Sequence, residues 1–352
     1  MSKNLLNPWV YIAGDQAVGQ AADMAVNTIF KHYPRVDCPM TVEERIRTND
    51  ACIQVAVDSL MEYGGGVKIS TASGHEEIQK LGWDSANIVM RPMVGAYAIL
   101  RFLFADGFYK KPCGVLRYPH GGIYDEKSFR TVIDEETGEI FGIVTQHINL
   151  SRLDSFAEIA CQVAKQKGLQ LILSSKFTIC ESEKEFKESI EKVLHKNGLV
   201  EKKDYINKLT DVAIADLPNS DTGGFLLICN NQDGDTASDV IDFRHGTRSM
   251  GSQVFCLKDG NYFSYEELPG GTAPDKFGTD LKGANFINPM AIIQAITSEI
   301  ERLNPGEKAY MDSVMESARK YLDQTVPEYR STSEMIQFIE SSVQQVGRGN
   351  RS

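Results

Sequence analysis

The sequence predicts an α/β protein of two domains. Three observations carry this reading: short apolar strands alternate with amphipathic helices, a glycine turn joins the first strand to the first helix, and the alternation resumes after residue 150. At about 150 residues per domain, the 352 residues are enough for roughly two cores.

Taken in order, residues 10–13 (VYIA) form a strand that runs into Gly14-Asp15-Gln16-Ala17-Val18-Gly19. The helix that follows turns Ala22, Ala25, Val26, Ile29 and Phe30 inward. Residues 127–149 differ, reading as two β-rich runs around Glu136-Thr137-Gly138 and therefore as a hairpin arm. Ser155 with Glu158 is a capping box that opens a helix carrying Phe156, Ile159, Ala160 and Val163, and Gly168 ends it. A strand over 169–173 comes next. Ser182 with Glu185 opens a second such helix, with Phe186, Ile190, Val193 and Leu194 on one face and Gly198 closing it. Residues 225–229 (FLLIC) are a buried strand, and the chain from Pro289 onward is mostly helical, the first of these helices stopping before Pro305. No linker divides the chain, so it is expected to cross between its domains more than once.

The net charge of −11 disfavours nucleic acid and anionic membranes as partners, and no apolar run approaches the ~20 residues that span a bilayer. The seven cysteines are odd in number and at least 14 positions apart, which excludes a CxxC pair and suits a reducing compartment. No signal peptide is read at the start. A cytoplasmic protein is expected.

The stretch 231–239 (NQDGDTASD) follows the FLLIC strand. If a helix starts near Asp235, then Asp235 and Asp239 are i and i+4 and point the same way at the carboxyl end of a strand, where they suit a hard divalent cation. The same spacing also suits a capping aspartate followed by a solvated one. A calcium loop is excluded, because loop position 12 is Arg244 or Gly246 rather than glutamate. Arg91, Arg101 and Arg117, with Tyr124 shortly beyond, have the side chains best shaped to fork carboxylates, although as spaced they serve equally as surface residues. Lys176 directly follows an apolar strand, either as a partly desolvated amine or as a strand-end surface charge. No GxGxxG follows a strand, so an ordinary dinucleotide fingerprint is not supported.

In order and wording these segments resemble the isocitrate and isopropylmalate dehydrogenases, the β-decarboxylating family, and most of all isocitrate dehydrogenases of the eukaryotic NADP type. The resemblance runs from Val10 to about Leu303. It implies a large discontinuous α/β domain from residues 1–94 with 247–352, a small α/β domain from 95–246 with a β-hairpin clasp at about 122–151, and an active site between them. Residues 64–73 (GGGVKISTAS) resemble the family's loop near nicotinamide and substrate, which assigns Lys68 and Thr71 to the cofactor and Ser73 to the substrate. Ser85, Asn87, Arg91, Arg101 and Arg117 resemble its substrate-binding residues, Tyr124 its catalytic tyrosine and Lys176 its catalytic lysine. Asp235 and Asp239 match two metal aspartates, and Asp211 falls where a neighbouring subunit's metal aspartate would be. Gly271, Thr272, Asp275 and Asn288 fall in the adenosine-binding segments.

The resemblance thus implies Mg2+ or Mn2+, a 2-hydroxy tricarboxylate substrate, oxidative decarboxylation to 2-oxoglutarate and CO2, and a homodimer with shared active sites. Cofactor choice is read at Asp275: a carboxylate accepts from a ribose 2'-hydroxyl and repels a 2'-phosphate, so NAD is expected, with Lys276 as a neighbouring counter-signal. Three features depart from the family: Gly270-Gly271-Thr272 replaces its His-Gly-Thr, Gly74-His75 replaces the eukaryotic Pro-Asp, and the clasp is shorter. Two alternatives stand beside the leading reading. One is the same reaction on another 3-substituted malate (homoisocitrate, isopropylmalate or a phosphonate analogue), and the other is a non-catalytic regulatory homologue.

Overall fold

The computed structural model describes residues 6–72, 76–103, 110–217, 222–245, 251–268, 288–325 and 331–349. In chain order the elements are β1 (Trp9–Ala13), α1 (Gln16–Thr28), β2 (Arg35–Pro39), α2 (Val42–Arg47), α3 (Ala51–Tyr63), β3 (Gly66–Lys68), α4 (Glu76–Lys80), α5 (Ala86–Met93), β4 (Ala96–Leu103) and β5 (Cys113–Arg117). There follow β6 (Glu126–Ile133), β7 (Ile140–Gln146), α6 (Leu153–Lys167), β8 (Gln170–Ser174), α7 (Glu181–Lys196), β9 (Tyr205–Lys208), α8 (Thr210–Asp216), β10 (Phe225–Cys229) and α9 (Asn231–His245). The remainder is β11 (Ser252–Lys258), β12 (Asn261–Glu267), α10 (Met290–Leu303), α11 (Lys308–Gln324) and α12 (Thr332–Gly349). The chain divides into two compact units, Met1–Gly95 with Gly251–Ser352, and Ala96–Met250.

The first unit carries strands in the order β2-β1-β3-β12-β11, parallel except for the β11/β12 hairpin. Period-2 alternation sends Trp9 and Tyr11 into a core shared with α1, α10, α11 and α12, while Val10 and Ile12 are buried on the other face. This burial of both faces is what a parallel sheet requires. Gly66 has no room for a side chain, since a Cβ there would lie 2.3 Å from the Val10 carbonyl oxygen. Both ends of the sequence build this unit: Asn7 N–H donates to Asn304 Oδ1 at 2.7 Å, and Asn304 Nδ2 donates back to the Asn7 carbonyl at 3.1 Å.

The second unit has strands in the order β4-β5-β10-β8-β9, with β4 antiparallel to β5 and the others parallel. Leu103, Cys113, Val115, Leu227 and Cys229 pack on one face with Ala213 and Ala237 from α8 and α9. Elsewhere in the unit Tyr118, Phe156 and Phe186 stack, which joins α6 to α7. The hairpin β6/β7 is separate, paired from Glu126↔Gln146 to Ile133↔Ile140. Its turn is set by Asp134, whose carboxylate accepts from the N–H groups of Glu136 and Thr137, with Gly138 at φ +73°.

Neither capping box forms. α6 starts at Leu153, after a 3₁₀ turn opened by Asn149, because the almost fully buried Leu153 anchors the helix two residues before Ser155. α7 starts at Glu181 with Cys180 as its cap residue, which leaves Ser182 inside the first turn. α9 also starts earlier than expected, at Asn231: the Asn230 side chain accepts from Asp233 N–H at 2.8 Å, so Asp235 lies one turn inside the helix and is not its cap. Gly168 does end α6, in the left-handed region at φ +66°. None of the seven cysteines forms a disulfide, and among the described residues no helix is long and apolar enough to cross a membrane.

Candidate active site

Three groups of side chains form at strand ends and adjoining helices, each within one unit. The most connected is in the second unit. Arg117 ends β5 and is buried, and its guanidinium pairs with Asp235. Tyr124 donates its hydroxyl to the other oxygen of Asp235 at 3.1 Å. Arg101 on β4 donates to Asp239 at 2.9 Å and to Asp242 at 3.3 Å. The i, i+4, i+7 series Asp235, Asp239, Asp242 thus lies along one stripe of α9. Of these, Asp239 is three-quarters exposed and Asp242 is buried. Burial, and then the charge of Asp235, pushes the Tyr124 phenol above its ordinary value. α9 can lie this close to β5 because of Gly234, where a Cβ would stand 2.4 Å from the Cβ of Arg117. A recess lined by Asp235, Thr236, Asp239, Val240, Phe243 and Arg244 runs along the same helix.

The second group lies just past β8. Lys176 Nζ donates to Asp211 at 2.5 Å, and its backbone N–H is 3.4 Å from Glu183. Lys176 is a third exposed and paired with Asp211, so it is not a lone surface charge. The Lys176 hydrogen bond holds the Asp211 carboxyl below its ordinary range. Asp211 does not join Asp235 and Asp239 within one chain: among the described residues no three His, Cys, Asp or Glu side chains gather in a metal-binding arrangement. The neighbouring half-buried carboxyls Glu183 and Asp233 are both raised, mainly by desolvation.

The third group belongs to the first unit. Lys68 is wholly buried, and its ammonium reaches the Ile69 carbonyl at 3.2 Å and Thr71 Oγ1 at 3.4 Å. Arg91 donates to Glu267 at 2.6 Å, and Tyr265 donates to the other oxygen of Glu267 at 3.0 Å. Desolvation lowers Lys68 to about 8 against the opposing pull of Glu267. Burial works against ionisation of Glu267, but Arg91 and Lys68 outweigh it and hold that carboxyl below its ordinary range. Ser85 stands at the N-terminal end of α5 without a capping hydrogen bond, and Asn87 in the first turn is buried, with Oδ1 meeting no hydrogen-bond partner among the described residues. Such an orphan in a polar corner suits a ligand or water.

Asn288 stands apart at the start of α10, where its side chain accepts from Met290 N–H. Ser73, Gly271, Thr272 and Asp275 lie outside the described residues. Sequence reasoning missed Glu267, Asp242 and Gly234. Asp242 was within reach, because it extends the Asp235/Asp239 stripe by one step. Glu267 was not: nothing local marks a strand-end glutamate as the counter-ion of a lysine 199 positions away.

The fold is that of an isocitrate dehydrogenase. The solved isocitrate dehydrogenase of Ostreococcus tauri, determined in complex with isocitrate and magnesium(II), superposes with a TM-score of 0.80 over 96% of this chain and 99% of that one, at 17% identity. Among curated proteins, the mitochondrial NADP isocitrate dehydrogenase of Saccharomyces cerevisiae is 24% identical over 75% of this chain and 71% of its own length. The peroxisomal NADP enzyme of Candida tropicalis is 25% identical over 75% of this chain and 74% of its own. Residues 110–341 match the isocitrate/isopropylmalate dehydrogenase family. The chain belongs to that family, and its class is the oxidoreductases.

Proposed function

We propose that the protein catalyses the NAD-dependent oxidative decarboxylation of isocitrate to 2-oxoglutarate and CO2, assisted by Mg2+ or Mn2+. The observation that carries this reading is the Arg117–Asp235–Tyr124 and Arg101–Asp239 constellation, in which two carboxylate forks and a phenol meet two hard oxygen donors on one face of α9.

The chain's own residues divide the work. Arg101 and Arg117 are charged at any working pH and fork carboxylates. An incoming tricarboxylate competes with Asp235 and Asp239 for them, and the displaced aspartates become free to ligate a cation. Asp235, Asp239 and the Asp211 of a second chain would hold that cation, a donor set of oxygens alone that suits Mg2+ or Mn2+. When bound, the cation would supply stabilisation of negative charge on the C2 oxygen and the nicotinamide would supply a hydride acceptor for C2. Lys176 of the second chain takes the hydroxyl proton, through water where it does not reach directly. Tyr124, whose raised pKa keeps its proton at neutral pH, returns one to carbon after CO2 leaves. Arg91 with Ser85 and Asn87 holds the remaining arm of the substrate, and Thr71, with Lys68 behind it, would bound the nicotinamide site. The active unit is a homodimer with shared sites, a reading supported by the separation of the Lys176–Asp211 pair from Asp235 and Asp239 within one chain.

NAD is favoured by Asp275, whose carboxylate repels a 2'-phosphate. The opposing reading, NADP, is favoured by the names of the relatives above. Initial rates with NAD and NADP, Mg2+ or Mn2+, and a panel of isocitrate, homoisocitrate and isopropylmalate decide between these. Reduction of NAD with isocitrate is expected to be fastest, and no reduction of either nucleotide with any member would overturn the enzymatic reading. Asp275→Arg is expected to shift kcat/KM toward NADP by about tenfold or more; an unchanged ratio removes Asp275 from cofactor choice.

A further inference from the structure

Arg45 is one of the most deeply buried charged side chains of the first unit, at 1% exposure, yet no step above uses it. It lies on the short helix α2. Its Nε and Nη2 grip the Asp50 carboxylate at 2.6 and 3.0 Å, and Nη2 also donates to the carbonyl of Asp84 at 2.9 Å, across 39 positions. The guanidinium lies 5.7 Å from the centroid of the Trp83 ring. Asp84 immediately precedes Ser85, the residue that opens α5.

The same short helix is tied on its other side. Asp15 accepts from Val42 N–H at 2.8 Å with one oxygen and from Ala72 N–H at 2.9 Å with the other. Val42, Ala72 and Ile78 form a small apolar cluster with Trp83 packed against it. α2 therefore clamps two segments at once, the chain at Ala72 and the turn into Ser85.

The clamp is costly to build, which argues against a role in stability alone. Asn49 and Asp50 are consecutive non-glycine residues in the left-handed region, at φ +50° and +67°, and such backbone persists only where its surroundings over-determine it. A buried ion pair contributes little net stability compared with apolar residues of the same volume, because both charges must be desolvated. What the guanidinium offers that an apolar side chain does not is geometry: a planar fork that fixes a carboxylate, a carbonyl and an aromatic face together.

We propose that Arg45 is a positioning residue for substrate selection: by holding Asp84 it fixes the start of α5, so that Ser85 and Asn87 discriminate among the third arms of 3-substituted malates. The inference rests on the reading of Ser85 and Asn87 as substrate contacts.

The test uses the full chain and the variants Arg45→Met and Arg45→Lys. Two quantities are read: the ratio of kcat/KM for isocitrate to that for isopropylmalate, and amide hydrogen exchange over residues 84–90. In Arg45→Met the ratio is expected to fall about tenfold, mostly through KM for isocitrate, with exchange over 84–90 accelerated more than in the rest of the unit. Arg45→Lys keeps the charge without the fork and restores only part of the ratio. In a Ser85→Ala background the Arg45→Met effect on the ratio is expected to shrink to less than about twofold, as coupled residues require. A general loss of activity with the ratio and the exchange unchanged would overturn the proposal, as would full additivity with Ser85→Ala. Should Arg45→Met not fold, Arg45→Lys carries both readouts. If the unaltered protein turns over no 3-substituted malate, the functional reading fails on its own, and exchange over 84–90 alone then decides whether Arg45 holds the segment.

Discussion

Lys68 and Glu267 show how one carboxylate can serve two cations. Glu267 faces Arg91 at 2.6 Å and also supports a lysine that is wholly buried. Because Lys68 titrates at about 8 in the folded chain and near its ordinary 10.5 when unfolded, its effect on stability depends on pH. Below pH 8 both states carry the proton, and the full cost of burying an ammonium is present. Between 8 and 10.5 the unfolded chain binds more protons, so stability rises with pH. The stability of the unaltered protein relative to Lys68→Met is therefore expected to improve by about 3 kcal/mol from pH 8 to 10.5, measured by urea denaturation at both ends. Parallel curves for the two proteins would show that Lys68 keeps an ordinary pKa. At this scale the charged residues with recognisable spacing were legible: Arg101, Arg117, Tyr124, Asp235 and Asp239 do meet. Their buried counter-ions were not, since an acid becomes a partner only once the sheet order is known.

The hairpin β6/β7 was legible as an element because its turn chemistry is local. Its apolar side chains raise a different question. Phe129, Ile133 and Ile140 are each about two-thirds exposed, on an isolated two-stranded ribbon of a kind that is marginal in water by itself. Such a ribbon needs cover, and a second copy of the chain provides it by symmetry in the proposed homodimer. Ile140→Glu with Phe129→Lys is expected to shift the protein from dimer to monomer in sedimentation velocity, with far-UV dichroism unchanged. A dimer that survives both substitutions would place the subunit contact elsewhere. The failed capping boxes mark the limit of local reading for elements. Ser155 and Ser182 fit the pattern, but the first turn of each helix is fixed by where burial begins, and that is a property of packing.

For the whole molecule, the proposed sharing of sites can be tested by complementation. Chains carrying Lys176→Met and chains carrying Tyr124→Phe are each expected to be nearly inactive. Unfolded and refolded together in equal amounts, they are expected to recover about a quarter of the unaltered rate, because half the dimers are mixed and each of those has one complete site. No recovery, with mixed dimers present by mass spectrometry, would mean that each chain uses its own lysine.

The discontinuous first unit has a consequence for how the protein is made. Trp9, Tyr11, Val67 and Ile69 are buried by Ile293, Ile296, Ile300 and Val343, which a ribosome adds more than 200 residues later. The unit formed by Ala96–Met250 is contiguous and is complete in the nascent chain well before these residues appear. At about 5–20 residues per second, the apolar face of β1 and β3 waits on the order of ten to fifty seconds for its cover. During translation that face needs the protection of a chaperone, although in the finished protein it is almost fully buried.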